Sequence, residues 1–302
     1  MQPRRSFLAL VASAAALRAG FTSAQERFSP FVGSNLDNVR RMVELAALRA
    51  GDTVIDLGSG DGRIVFAALQ SRPDVRGIGV DINAELVQKS NAAALERGFA
   101  DRVRFLHQNA FDADLSKVDV IFMWLFPELM RLLRPKILAQ ARPGTRVVAA
   151  TWDLGTWPPD MIDDPGGGAS LIRRWVVPAR VEGGWQWDAT IGGVTHRFSA
   201  LFEQRMQHAE GAVRVGNRRE LLQHVVLRGD ALQFGIRMTL RGSGYIGMHL
   251  TGRVRGDTIE GTIQAQVPRP GDDEAMDDIS LPWRARRVAN PGFFGFTGTD
   301  LS

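Results

Sequence analysis

One ten-residue segment, 54–63, joins an acidic residue to a glycine-rich turn. Asp56 stands near the end of an apolar run, and Gly58, Gly60 and Gly62 follow at alternate positions. Glycines at this spacing let the backbone turn tightly and let a ligand approach the main chain closely. A carboxylate beside such a turn suits a cationic or amine-bearing ligand better than a pyrophosphate. The segment therefore predicts a nucleotide-type ligand that carries positive charge.

A second acid, Asp81, ends the next apolar run, 23 residues after Gly58. In nucleotide-binding βαβ units, a carboxylate at this strand end binds the ribose hydroxyls. A dinucleotide fingerprint places its third glycine three residues after the second, but this chain has Arg63 there and Gly62 one position earlier. The spacing favours S-adenosylmethionine (SAM) over NAD, with the methionine end at the glycine turn and the ribose at Asp81. A structural turn without a ligand is the competing interpretation.

Three side chains that suit a methyl acceptor follow the fourth predicted strand: Trp124, Phe126 and Glu128. Methyl transfer from a sulfonium is an in-line displacement, so the protein must align the acceptor, exclude water and let a proton leave. The two aromatic rings can face an amine through cation–π contacts, and Glu128 can orient it or take its proton. Alternatively, both aromatics cap the core and Glu128 is an acid in the first turn of a helix. We interpret the three as candidate catalytic residues.

Short apolar runs alternate with helical patterns between residues 36 and 150. This alternation predicts an α/β domain in which a parallel sheet is covered by helices on both faces. Ligands of such folds bind at the carboxyl ends of the strands, where the candidate residues stand. The predicted strands are Thr53–Leu57, Gly77–Val80, Val103–His107, Val118–Met123 and Arg146–Ala150. The predicted helices are Leu36–Leu48, Arg63–Gln70, Ala84–Arg97 and Glu128–Ala141.

The chain changes character after Asp160, where prolines and glycines over 158–168 predict a loop. From there apolar and polar residues alternate in short runs between glycine turns, which predicts a β-rich domain, an antiparallel meander or barrel-like. Its clearest hairpin joins 245–254 to 258–263, and 268–274 is expected to be a solvated loop. We predict three parts: an export signal over 1–24, a SAM-binding domain over 25–180 and a β-rich accessory domain over 181–302.

Several segments together carry a family resemblance. They are 56–65, Pro30–Val32, Phe126–Glu128, Leu133–Leu138, Arg142–Val148 and Trp157–Asp160. Across roughly residues 28–178 the chain resembles the class I (Rossmann-like) SAM-dependent methyltransferases, and among them the ATP-synthase c-subunit lysine methyltransferases and their bacterial relatives. The resemblance implies SAM as cofactor, lysine as acceptor and an adenine contact at Asn109. The chain departs from the family pattern at Phe31, where a tyrosine is usual, and at Asn109, where an acid is usual.

Composition narrows the function classes further. The chain contains no cysteine, which excludes disulfides, thiolate nucleophiles and cysteine-ligated zinc. The five histidines have no paired metal-ligand spacing, so no metal is expected. The net charge of +4 comes mostly from the leader, because 34 basic and 33 acidic residues remain after residues 1–24 are removed. We therefore expect no nucleic-acid partner, and no apolar run is long enough to span a membrane.

The first 24 residues resemble a twin-arginine export signal. Arg4 and Arg5 precede an apolar stretch over 7–17, and small residues over 22–24 suit cleavage after Ala24. This order predicts a periplasmic protein, or a cytoplasmic one if the leader is not functional. The expected function is SAM-dependent methylation of a protein or small-molecule acceptor, with lysine as the leading candidate. The alternative is an exported, non-catalytic binding protein with a vestigial methyltransferase domain and a ligand-binding β-domain.

Overall fold

The computed structural model describes residues 35–166, 170–269, 272–289 and 291–292. These residues form four α-helices and two β-sheets, one of seven strands and one of nine. The predicted export signal and Phe31 lie outside the described residues. None of the described helices combines the length and apolarity that crossing a membrane would require.

The first sheet has the strand order β3-β2-β1-β4-β5-β7-β6, in which β1 to β5 run parallel and β7 runs antiparallel to both neighbours. The α/β prediction is confirmed, and each predicted helix and strand up to residue 150 agrees with the structure to within two residues at either end. The helices are α1 (Leu36–Ala46), α2 (Arg63–Ser71), α3 (Ala84–Glu96) and α4 (Pro127–Gln140). The strands are β1 (Thr53–Leu57), β2 (Arg76–Asp81), β3 (Val103–His107), β4 (Val120–Met123), β5 (Arg146–Ala150), β6 (Met161–Asp163) and β7 (Ile172–Val176).

Helices cover both faces of this sheet because successive strand residues point to opposite sides. Val54 and Phe122 pack with the apolar faces of α1, α2 and α3. Ile55 and Met123 pack on the other face with α4. The central strands are therefore buried on both faces, and only their ends are free to meet a ligand.

Strand β6 was not predicted, because it lies inside the stretch interpreted as a loop. Arg41 of α1 anchors it: Nε donates to Asp163 Oδ2 at 2.6 Å and Nη2 donates to the Asp163 carbonyl at 3.1 Å. Arg41 Nη1 also donates to the Ser170 carbonyl at 3.0 Å. A three-residue strand held by an arginine more than 120 positions away has no local pattern that sequence reasoning can detect.

The second sheet is antiparallel throughout, with the order β11-β10-β9-β8-β16-β15-β14-β13-β12. Its edge strands, β11 and β12, are consecutive in the chain, and β12 contacts β10 while β11 contacts β13, so the sheet curls almost closed. This confirms the predicted β-rich class. The strands are β8 (Gly183–Ile191), β9 (Val194–Arg205), β10 (His208–Val215), β11 (Arg218–Leu221), β12 (Gln223–Arg228), β13 (Ala231–Leu240), β14 (Gly244–Arg255), β15 (Thr258–Arg269) and β16 (Asp272–Val288).

The hairpin of β15 and β16 is longer than expected. The polar run 268–274 was predicted as a solvated loop, but β15 continues to Arg269 and β16 begins at Asp272. An ion pair of 2.8 Å joins Arg269 to Asp277 across the hairpin. Cross-strand pairing therefore outweighs the polar composition of this segment.

The segment 177–182 between the two sheets is packed rather than exposed. Val177, Ala179 and Val181 are all buried. The N–H of Ala179 donates to the Gly229 carbonyl at 2.7 Å, and Gln204 Oε1 accepts from the N–H of Val181 at 2.7 Å. The domain boundary near residue 180 remains a prediction, and protease sensitivity can test it.

We expect limited digestion with a non-specific protease to cut first between residues 164 and 170, where Asp164, Pro165 and Gly166 are exposed. Arg180 is also exposed, but its buried neighbours should protect it from trypsin under native conditions. Mass spectrometry of the first fragments is the measurement. Early tryptic cleavage at Arg180 would show that the segment 177–182 opens locally, contrary to its packing.

Candidate functional site

The glycine turn after β1 is held by the end of β2. The N–H groups of Gly58 and Ser59 both donate to the Val80 carbonyl, at 2.9 and 3.0 Å. The Asp81 carboxylate accepts from the Gly60 N–H at 2.8 Å through Oδ2 and from the Asn83 N–H at 2.8 Å through Oδ1. Asp81 therefore joins the glycine turn to the N-terminus of α3, and both oxygens keep capacity for a second donor.

Glycine is required at two positions of this turn. Gly58 and Gly62 have φ values of +83° and +78°. A Cβ on Gly58 would lie 2.5 Å from Leu125 Cδ2, and one on Gly62 would lie 2.5 Å from Phe105 Cζ. The absence of a methyl group at Gly58 lets the turn approach the loop that follows β4, and its absence at Gly62 lets the turn pack on Phe105 of β3.

Asp56 is an unpaired acid inside the sheet. The residue is 1% exposed, and within the described part of the chain its Oδ1 has no hydrogen-bond partner. Burial, together with the smaller effect of the negative charges of Asp81 and Asp61, raises the pKa of Asp56 to about 8. The buried hydroxyl of Ser59 likewise lacks a partner among the described residues. Both atoms lie in the segment where the sequence predicted the methionine end of SAM.

These groups fit SAM. The ammonium group of its methionine end supplies donors and positive charge to an acid that has neither, and the glycine turn leaves room for a ligand next to the main chain. Ile82 and Phe111, which follow β2 and β3, are 51% and 37% exposed and offer apolar surface for an adenine ring. Sequence reasoning missed both residues. The available signal for Ile82 was an apolar residue directly after a strand-end acid.

Asn109 begins the short 3-10 helix Ala110–Asp112, and its Oδ1 accepts the Phe111 N–H at 3.0 Å. This bond places the exposed Asn109 beside Phe111, at the same edge as Asp81. The predicted adenine contact at Asn109 would use the side-chain amide nitrogen, which this cap leaves available.

The structure places the predicted acceptor residues next to the glycine turn. Leu125, between the two aromatics, is the side chain that faces Gly58. Trp124 is half-buried against the apolar cluster of α1 to α3, while Phe126 is 38% exposed. Glu128 is exposed in the first turn of α4. Phe126 and Glu128 are therefore accessible to an acceptor, and Trp124 has a packing contact in addition to its predicted role.

Exposed apolar side chains extend this edge of the sheet. Trp152 follows β5 and is 45% exposed, and Ile162 of β6 is 53% exposed. Ala150 and Asp163 both pair with Ile172, so the end of β5 and the end of β6 lie at the same level. Within the described part of the chain, no group of three or more His, Cys, Asp or Glu residues is arranged to hold a metal ion.

Comparison with known proteins gives a consistent set of similarities. Residues 56–161 match the family model described as the ANTKMT methyltransferase domain. A protein-lysine N-methyltransferase of Saccharolobus islandicus is 35% identical over 130 residues, which are 43% of this chain and 81% of the relative. The adenine nucleotide translocase lysine N-methyltransferase of Mus musculus is 33% identical over 146 residues, 47% of this chain and 62% of the relative. The chain thus spans about three fifths of the mouse protein.

A solved structure is also similar over half of the chain. It is an RNA methyltransferase from Salinibacter ruber in complex with S-adenosyl-L-homocysteine. The identity is 39%, the match covers 50% of this chain and 96% of the other, and the TM-score is 0.47.

The pKa of Asp56 leads to a prediction about pH. Below about pH 8 the acid is neutral, and a cationic ligand binds its ionised form better, so binding should release a proton. SAM affinity should therefore rise between pH 6 and pH 8, and in Asp56→Asn it should be weaker and nearly independent of pH over this range. Calorimetric titrations in two buffers of different ionisation enthalpy measure both effects. An equal pH slope in the wild type and the variant would contradict this role.

The Asp81 carboxylate should contribute directly to ribose binding. Asp81→Ala should weaken SAM binding by roughly 1–3 kcal/mol, because the ribose hydroxyls lose a charged acceptor. Asp81→Asn, which keeps one acceptor oxygen, is the conservative comparison and should lose less. Melting temperatures of both variants separate a disordered turn from a lost contact. Unchanged affinity in Asp81→Ala would disprove the ribose assignment.

Proposed function

Because the chain belongs to the family of protein-lysine N-methyltransferases, we propose that it transfers the methyl group of SAM to the side-chain amine of a lysine in a protein. Family membership confirms the resemblance detected in the sequence, and SAM is the methyl donor. No comparison favours the alternative of a non-catalytic binding protein.

One observation carries the proposal: the glycine turn with its unpaired acid and the loop with its exposed aromatic meet at one edge of the sheet. Leu125 closes directly on Gly58, and Phe126 follows with 38% of its surface exposed. The site that binds SAM and the site that binds the lysine must adjoin each other, since the lysine nitrogen has to approach the methyl carbon in line with its bond to sulfur. The exposed apolar surface of Trp152 and Ile162 continues this edge, as a contact surface for a protein acceptor.

SAM supplies a methyl group that is activated by its bond to a positively charged sulfur. The lysine nitrogen forms a bond to the methyl carbon while the carbon–sulfur bond breaks, which leaves S-adenosylhomocysteine with a neutral sulfur. A lysine reaches the site as an ammonium ion and must lose one proton before its nitrogen can attack. The methylated amine retains its remaining protons, and the released proton passes to a base or to water.

Residues 124–128, which lead from β4 into α4, divide these tasks. Trp124 and Phe126 offer aromatic faces that attract the ammonium and then exclude water from the free amine. Glu128 lies two residues after Phe126 and is exposed, so it can accept the departing proton or orient the amine.

We also propose that the protein is exported with its leader removed. The support is the order of Arg4, Arg5, the apolar stretch 7–17 and the small residues 22–24. Fractionation of cells that produce the full chain, with N-terminal sequencing of the mature form, tests this. An Arg4→Lys, Arg5→Lys variant should remain in the cytoplasm with its leader attached if the twin-arginine pathway is used.

The acceptor class can be identified with isotopically labelled SAM. The protein should transfer label to polypeptides in a cell extract, and acid hydrolysis should release the label as methyllysine. Extract treated with nuclease should retain full acceptor activity, whereas extract treated with protease should lose it. Label recovered in nucleotides or in small molecules would overturn the lysine proposal.

Replacement of the acceptor-loop aromatics should separate turnover from cofactor binding. Trp124→Ala and Phe126→Ala should lower kcat far more than SAM affinity, because neither ring needs to contact the cofactor. Glu128→Gln should reduce the rate most at low pH, where the free amine is scarce. Tyr245→Ala, which removes an exposed aromatic of the second sheet, is the control and should leave both kcat and SAM affinity unchanged. If the aromatic variants only melt at lower temperature and the folded protein keeps full activity, they are packing residues.

A further inference from the structure

The interior of the second sheet is a connected aromatic cluster. Trp187 stacks on Phe198 with a centroid distance of 5.1 Å and an interplanar angle of 1°. The same indole meets Trp283 edge-on at 5.8 Å, and Trp283 meets Phe234 at 5.5 Å. His196 extends the cluster through an edge contact of 6.5 Å with Phe198. Inward-facing residues of four strands thus converge in one place.

Three nitrogen atoms in this cluster have no hydrogen-bond partner among the described residues: Trp187 Nε1, Trp283 Nε1 and His196 Nε2. Their residues are 4%, 3% and 6% exposed. A buried N–H without a partner costs about as much free energy as a lost hydrogen bond, so native proteins pair nearly all such groups. Two unpaired indole N–H groups and an unpaired imidazole nitrogen in one apolar interior indicate an acceptor that the described polypeptide does not supply.

Other buried indoles of the protein show the contrast. Trp185, two positions before Trp187 on the same inward face, donates its Nε1 to the Val181 carbonyl at 2.7 Å. Trp175 donates to the Trp157 carbonyl at 2.8 Å. Trp157 also has an unpaired indole nitrogen, but it lies in the first sheet and contacts no second unpaired indole. Only in the second sheet do two unpaired indoles touch, within the described part of the chain.

The chemistry of this interior restricts what it can bind. Among the described residues, His196 is the only buried ionisable side chain of the second sheet, and burial lowers its pKa, so the imidazole is neutral at physiological pH. Arg287 also lies on this face, but its guanidinium stacks on Trp185 and already pairs with Asp257, so a charged ligand in the cluster would lose hydration without compensation. The donors therefore suit a neutral oxygen acceptor, and the surrounding apolar side chains suit an apolar body.

We propose that the nearly closed second sheet binds a small, neutral, apolar molecule that carries a carbonyl oxygen. Trp187 Nε1 and Trp283 Nε1 donate to that oxygen, and His196 Nε2 is the third polar contact. The interior of a closed sheet of about eight strands is either filled by side chains or holds one small ligand, and this sheet has nine strands. The site is independent of the methyltransferase residues, so it stands or fails separately from the proposed function.

Prodan, a naphthalene with a ketone and a dimethylamino group, is a suitable probe because its emission reports both polarity and hydrogen bonding to the ketone. Titrated with the full chain, it should show saturable binding with blue-shifted emission. 2-(Dimethylamino)naphthalene, which lacks the carbonyl, should bind at least about tenfold more weakly. The Trp187→Phe, Trp283→Phe double variant keeps an apolar interior and removes both donors, so it should lose about tenfold in prodan affinity.

Trp185→Phe is the matched control, since it removes a buried indole whose N–H already has a partner. It should melt at lower temperature and keep prodan affinity. Absence of saturable prodan binding would overturn the proposal. Equal weakening by Trp185→Phe, or equal binding of the probe without a carbonyl, would overturn it too. If the double variant does not fold, Trp187→Phe and Trp283→Phe are measured singly under the same criteria.

Discussion

The hydrogen bonds that Asp81 accepts from two backbone N–H groups organise the edge of the first sheet where the candidate SAM and acceptor residues lie. They fix Gly60 relative to β2 and Asn83 at the start of α3, so one carboxylate positions the turn that follows β1 and the helix that follows β2. The conformation of this glycine turn determines how closely Leu125 approaches Gly58, and therefore where the neighbouring acceptor residues lie. A shift of this carboxylate would move every group that aligns donor and acceptor.

The buried carboxyl group of Asp56 makes the free energy of unfolding depend on pH. Its pKa is about 8 in the folded protein and close to 4 in an unfolded chain, so the folded state binds the proton more tightly. The free energy of unfolding therefore falls as pH rises from about 4 to about 8, because over this range the acid ionises in the unfolded chain and stays protonated in the folded one. A cationic ligand reverses this effect by stabilising the carboxylate. Binding and folding are thus coupled through one side chain.

Sequence periodicity predicted the first sheet well, because its strands and helices are long enough to show their own patterns and are ended by glycines and acids. What it missed depends on contacts between distant residues. Strand β6 exists because Arg41 binds Asp163, and the second sheet curls almost closed because its edge strands β11 and β12 contact β13 and β10. Of the site, the acids and glycines were predictable from residue type. The exposure of Ile82 was not, since it depends on how neighbouring strands end.

Unpaired buried polar atoms occur in both sheets, but not every one marks a ligand. Arg146 leaves its Nε unpaired, yet the same guanidinium donates to Asp52 at 2.7 Å and to two carbonyls that end α1, which explains its burial as structural. Asp56 lacks that explanation, and so do the indoles of Trp187 and Trp283, each of which has a single polar atom with no partner. The distinction is whether the other polar atoms of the same side chain already have hydrogen-bond partners. By that criterion Trp157 also qualifies but stands alone, whereas Asp56 with Ser59 in the first sheet and Trp187 with Trp283 in the second are described groups that leave the same requirement open together.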